Sequence, residues 1–162
     1  MAKSLLALAI FLSFTGEQEK GSNRSPLIDR FNTHVNVPLG SSYCATAISY
    51  ILDSAQVSFA RRSAVAQGFI TKQSIKSEMV LMGAYDPKPS DLVIWKYGDT
   101  WKGHIGMVRW WNGERGGTIE ANTSPTSGGD QRNGDGIWYK TRNIEPTNYF
   151  RITHFTKIYK KN

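Results

Sequence analysis

Hydrophobic positions in this chain change their period partway along. In "MAKSLLALAIFLSF" the residues Leu5, Leu8 and Leu12, with Ala9, recur at three- and four-residue spacing, which predicts a helix. Ile10, Phe11 and Phe14 leave it little polar face, as in a largely buried helix. Gly16 reads as its stop and Asn23 to Pro26 as a turn. A lysine ahead of a short apolar run also has the outline of a secretory signal peptide, but no small-x-small cleavage site follows, and a first domain helix fits better. The run is shorter than the roughly 20 apolar residues that span a bilayer.

A second helical rhythm follows in "YCATAISYILDSA", with Tyr43, Ala47, Tyr50 and Ile51 on one face and Cys44, Ile48 and Leu52 beside them. "RRSAVAQGFITKQ" reads as loop or short helix. Beyond it the pattern turns to strands. "LVIW" follows a Pro-Lys-Pro-Ser-Asp turn, "HIGMVRWW" and "GGTIEAN" flank the turn signal "NGERGG", and "GIWYKTRN" and "FRITHFTKIY" complete the series. Helices first and antiparallel strands afterwards make an α+β arrangement. No repeat, low-complexity stretch or linker divides the chain, so 1–162 is expected to be one domain.

Composition adds limits. With 40% hydrophobic and 20% charged residues the chain has the makings of a folded core. Its one cysteine, Cys44, cannot close an internal disulfide or build a multi-cysteine zinc site, so the thiol is free or chemically employed. A formal charge of +7 draws the protein toward polyanions. The basic residues are scattered, apart from "KIYKKN" at the end, and no nucleic-acid-binding motif accompanies them, so nucleic acid is not expected as the partner.

Cys44 stands just behind the turn "GSSY", where the second helix should begin. Amide groups and the positive dipole end at a helix N-terminus favour a thiolate, the reactive form of cysteine. Free cysteines also simply pack, and position alone leaves both readings open. A nucleophilic cysteine needs a base and a group that orients the base. His104, in "KGHIGMV", is the best-placed base, since glycines on either side leave room for a substrate. His34, in a polar loop segment, and His154, in "RITHF", read as a surface and a strand residue. In "TIEAN", Glu120 and Asn122 are two apart and would share a strand face with Thr118; either could orient the ring. Taken singly, Glu120 and Asn122 read more readily as an exposed strand face ending in a turn.

As an ordered set these pieces resemble the cysteine, histidine-dependent amidohydrolase/peptidase (CHAP) family, within the NlpC/P60-type, papain-like enzymes of bacterial cell walls. The resemblance rests on "GSSYCATAISYIL", on "SDLVIW" before "GHIGMV", and on "TIEANTS" with the glycine-rich "GGDQRNGDGIWYKTRN" after it. It runs from about Leu5 to Tyr159. Tyr43 stands where the family often has Trp, and Ser90-Asp91 where it often has Gly-Asp; both exchanges look conservative. No wall-binding repeat accompanies the domain.

The resemblance implies a papain-like NlpC/P60/CHAP fold, with N-terminal helices packed on a central antiparallel sheet. It implies catalysis by Cys44 and His104, with Glu120 as orienter and Asn122 next to the site. The backbone N–H of Cys44, joined by Ser42 or Tyr43, would bind the oxyanion. The implied reaction is cleavage of a peptidoglycan amide, in the stem peptide or a crosslink, through a thioacyl-enzyme, and it requires no metal or organic cofactor. Alternatives are a toxin-like amidase or acyltransferase acting on another amide, or an inactive wall-binding module. The expected setting is the cell envelope or the extracellular space, with the anionic wall as partner, no membrane span, and a monomer; whether an inhibitor protein binds is left open. Trp101, Trp110, Trp111 and Trp138 could line a groove or pack in the core.

Overall fold

The computed structural model describes residues 2–58, 60–125 and 134–159. The glycine-rich turn expected after Asn122 and the last lysines of "KIYKKN" lie outside them. Four α-helices, α1 (Lys3–Ser13), α2 (Pro26–His34), α3 (Cys44–Ser54) and α4 (Ser77–Leu81), accompany a six-stranded sheet. The strands are β1 (Ile75–Lys76), β2 (Leu92–Tyr97), β3 (Gly103–Asn112), β4 (Arg115–Thr123), β5 (Gly136–Asn143) and β6 (Phe150–Thr156). All pair antiparallel, in the order β1-β6-β2-β3-β4-β5. The chain is therefore α+β, as its change of period implied. No helix among the described residues is long and apolar enough to cross a membrane.

Two helix readings need correction. The inward stripe of α1 is Ser4, Ala7, Leu8 and Phe11, while Leu5 and Leu6 are exposed. Apolar residues all round a helix do not say which side meets the core; the neighbours decide. The segment taken as turn and polar loop forms α2: Ser25 accepts from Ile28 N at 3.2 Å, Pro26 occupies the first turn, and Asp29 adds a negative charge there. These start signals were read as a turn because Asn-Arg-Ser-Pro serves either purpose. His34 is thus the last residue of a helix, its Nε2 2.6 Å from Asp53 on α3.

The pleat sorts the sheet into two apolar faces. Leu92, Ile94, Ile105, Met107, Ile119, Ala121 and Ile137 pack with Phe11, Phe31, Ile48, Ile51 and Leu52 of the first three helices. Val93, Trp95, Val108, Trp111, Ile152 and Phe155 form a second cluster with Val80 of α4. Each such side chain contributes roughly 1.5–3 kcal/mol by leaving water, so this double core fixes where strand residues can lie. The β3–β4 hairpin closes through Gly113 and Glu114, with Asn112 opposite Arg115 and Gly113 at φ +60°.

Ser90 is a strained position: its φ of +80° puts a side chain where glycine is free of strain, and its buried hydroxyl has no hydrogen-bond partner among the described residues. The turn is kept because Ser90 N donates to Val108 O, and Asp91 accepts from Tyr85 Oη at 2.6 Å and Lys88 N at 2.8 Å. Ser90→Gly is expected to stabilise the fold by about 1 kcal/mol, raising Tm by roughly 2–4 °C in a thermal melt. An unchanged or lower Tm would contradict this account.

Candidate active site

The turn that delivers Cys44 is braced from α2. Asn32, fully buried, donates from Nδ2 to Ser41 O at 3.0 Å and accepts at Oδ1 from Thr46 Oγ1 at 2.8 Å. One side chain thereby ties the residues on both sides of Cys44, and its spacing from the cysteine carried no sequence signal. Tyr43 is fully buried, with its phenol donating to Glu19 at 3.2 Å. Of the two side chains considered for the oxyanion, only Ser42 lines the groove. Helix α3 has no capping side chain, so its first amides are not taken up by one.

Cys44 keeps 8% exposure and lies in a groove of about 400 Å³. Val37, Pro38, Ser41 and Ser42 form one wall, Ala64, Val65 and Ala66 another, and Trp101, Lys102 and Gly103 a third. Trp101 is 71% exposed on the β2–β3 turn, and Gln67 Nε2 holds that turn by donating to Thr100 O at 2.7 Å and Lys102 O at 2.8 Å. Trp111 is buried, and neither Trp110 nor Trp138 borders this groove, which leaves Trp101 as its one tryptophan.

His104, the second residue of β3, is fully buried with its ring 5.3 Å from Trp95. Its Nε2 is 2.9 Å from Glu120 Oε2. A carboxylate only accepts, so Nε2 carries the proton and Nδ1 is the nitrogen left to exchange one. Nδ1 has no conventional hydrogen-bond partner among the described residues, and the ring's other interacting side chain is Cys44. Burial pushes the imidazole pKa down, but the Cys44 side chain and then Glu120 overcome this and hold it at about 9.

Glu120 is also fully buried. Its Oε1 accepts from Thr118 Oγ1 at 2.5 Å and Arg142 Nε at 2.7 Å, and Arg142 Nη2 reaches Oε2. Burial disfavours the anion, yet the Arg142 charge, its hydrogen bonds and then His104 bring the pKa down to about 2. Sequence reading placed Thr118 on this face but missed Arg142, two strands from His104. Gly106 has a different purpose from the one expected. It lies directly opposite Glu120, where an added Cβ would sit 2.6 Å from Glu120 Cγ, so it clears space for the carboxylate; Gly103 is the glycine that borders the groove.

Asn122 does not share the regular face of Glu120. Ala121 pairs with Ile137 and Thr123 with Gly136, leaving Asn122 as the extra residue of a bulge at φ +60°. Two-residue alternation does not run through a bulge. Its side-chain amide is buried with no partner among the described residues, and His104 is not bonded to it. The structure thus brings Cys44, His104 and Glu120 together and leaves Asn122 out of the ring's hydrogen bonds. Among the described residues no cluster of three His, Cys, Asp or Glu is arranged to hold a metal ion.

Comparison with protein-family models, with curated proteins and with solved structures finds no match to this chain.

The site's electrostatics can be read directly. In an NMR titration of the imidazole signals, His104 should change protonation near pH 9 rather than near the ordinary value of about 6.5. Cys44→Ala and Glu120→Gln should each move that midpoint down, because each removes a group that opposes the effect of burial. A midpoint near 6.5 in the unaltered protein would refute this picture.

Proposed function

We propose that this protein is a cysteine-dependent amide hydrolase of the CHAP, papain-like kind, acting on peptidoglycan. The observation that carries the chemistry is one arrangement. Cys44 opens a helix at the base of a groove and interacts with a buried imidazole whose far nitrogen is held by a carboxylate. The choice of peptidoglycan rests on the sequence resemblance and on the +7 charge, which suits an anionic wall. Action in the envelope or outside the cell belongs to the same proposal.

In the proposed reaction the Cys44 proton resides on His104 Nδ1 and Sγ attacks the amide carbonyl. The tetrahedral oxyanion is met by the backbone N–H of Cys44, with Ser42 at the groove edge. As the C–N bond breaks, Nδ1–H protonates the departing amine and a thioester remains. Water then gives a proton to Nδ1 and attacks the thioester, and C–S cleavage releases a carboxylic acid and restores the starting pair, with the proton on Nδ1 and the sulfur as thiolate. Throughout, Nε2–H stays on Glu120, which supports each imidazolium as it forms.

Wild-type protein incubated with purified peptidoglycan should release fragments bearing one new amine and one new carboxyl group, read by mass spectrometry, and Cys44→Ala should release none. Absence of cleavage by the wild type, or cleavage by the variant, would overturn the proposal. Glu120→Gln should slow turnover by roughly 10–10³-fold, in line with loss of an orienting group. Asn122→Ala should cost less, since Asn122 makes no bond to the ring; the reverse ranking would transfer the orienting role to Asn122.

Trp101 lines the groove and should contact substrate away from the scissile bond. Trp101→Ala is expected to raise KM about tenfold with kcat little changed, the mark of lost uniform binding. An unaltered KM would remove Trp101 from the substrate site.

A further inference from the structure

Glu120 belongs to a longer chain of charges than a cysteine, a base and an orienter require. Arg142, on β5, projects from the far side of β4 and closes a fork on the carboxylate, Nε on Oε1 and Nη2 on Oε2. Its side chain is only 13% exposed and its guanidinium carbon lies 5.4 Å from the Trp95 ring, which also packs against His104. A single hydrogen bond from Nε2 would leave Glu120 free to rotate about its terminal torsion. The fork and Thr118 together fix both oxygens.

We propose that Arg142 is the positioning residue of this site, a fourth member that aims Glu120 at His104 and balances its charge. The inference rests on the cysteine-hydrolase reading and deepens it. Glu120 lies between the imidazole and the guanidinium within a largely buried site. Without Arg142 the carboxylate would lose the charge bonded to both its oxygens, and it would turn away from the ring or take up a proton and stop supporting it. Lys140, a second cation whose charge acts on this carboxylate, donates to Ser124 O at 2.7 Å. Arg142 is not among the groove-lining residues, so its action passes through Glu120.

The test uses alkylation of Cys44 by iodoacetamide at pH 7.5, which reports thiol reactivity whatever the natural substrate. Arg142→Met should slow alkylation roughly 3–30-fold, Glu120→Gln by a similar factor, and the double variant by no more than about twofold beyond Glu120→Gln alone. Arg142→Lys keeps a charge but loses the fork, and should still be several-fold slower; it carries the test if Arg142→Met fails to fold in a thermal melt. If peptidoglycan is cleaved, kcat should fall in the same order with KM unchanged. Wild-type reactivity in Arg142→Met or in Arg142→Lys would overturn the proposal, as would Arg142→Met and Glu120→Gln effects that multiply in the double variant. A protein that fails to cleave peptidoglycan but shows the coupled alkylation pattern would refute the substrate and leave this inference standing.

Discussion

A negative charge buried between three strands dictates most of what surrounds it. An ionised carboxylate without partners in an interior is so unfavourable that it takes up a proton instead. Glu120 stays ionised because donors on its own strand, on β3 and on β5 converge on its two oxygens. Removing one partner of such a buried group typically costs about 3–5 kcal/mol, because the other is left uncompensated. The register of the β3–β4–β5 ladders is therefore a condition of the site as well as of the fold. Gly106 must face Glu120, and Arg142 must enter on the same face as Thr118; a slip of one residue would turn the carboxylate into the apolar layer that Ile119 and Ala121 occupy.

The other half of the site is positioned by different means. Cys44 belongs to a helix whose direction is set by core packing of Ala47, Ile48, Ile51 and Leu52, while its first turn is tied by Asn32 to the preceding loop. The sulfur and the imidazole thus reach one another from two separately stabilised layers, helical and sheet. Core packing and the Asn32 clamp account for the position of Cys44, whereas displacing Glu120 would also leave buried charge uncompensated.

Local sequence carried what depends on local pattern. Strand segments from Leu92 onward, the helix at Cys44, and a partner for His104 in either Glu120 or Asn122 were legible because period, turn residues and residue order are properties of short stretches; the structure chooses Glu120. What was illegible depends on partners far away in the chain. The inward stripe of α1 is chosen by what packs on it, Asn32 acts through a loop nine residues on, and Arg142 meets Glu120 across 22 positions. The bulge at Asn122 defeated a two-residue rule that held for Thr118 and Glu120, since one inserted residue ends the alternation. Ser90 shows the same limit from another side: the residue exchange is mild in chemistry, and only the positive φ gives it an energetic meaning.

The groove over Cys44 is assembled from three chain segments, and each is held by a side chain from elsewhere bonding to its backbone. Asn32 holds Ser41, Ser49 of α3 both accepts from Ser63 N and donates to Ser63 O at 2.9 Å, and Gln67 holds the Thr100–Lys102 turn. Bonds of this kind constrain backbone position but leave the residues facing the groove free to differ, because the side chains of Val37, Val65 and Trp101 take no part in them. Under the proposed function, chemistry and selectivity are thereby carried by separate residues. The charge chain from Cys44 to Arg142 lies in and under the sheet, where a change disturbs a buried network, while the groove walls stand on clamped loops where a change alters only what fits. On the proposed reading, such a hydrolase can change the amide it prefers through its loops without disturbing the group that cuts it.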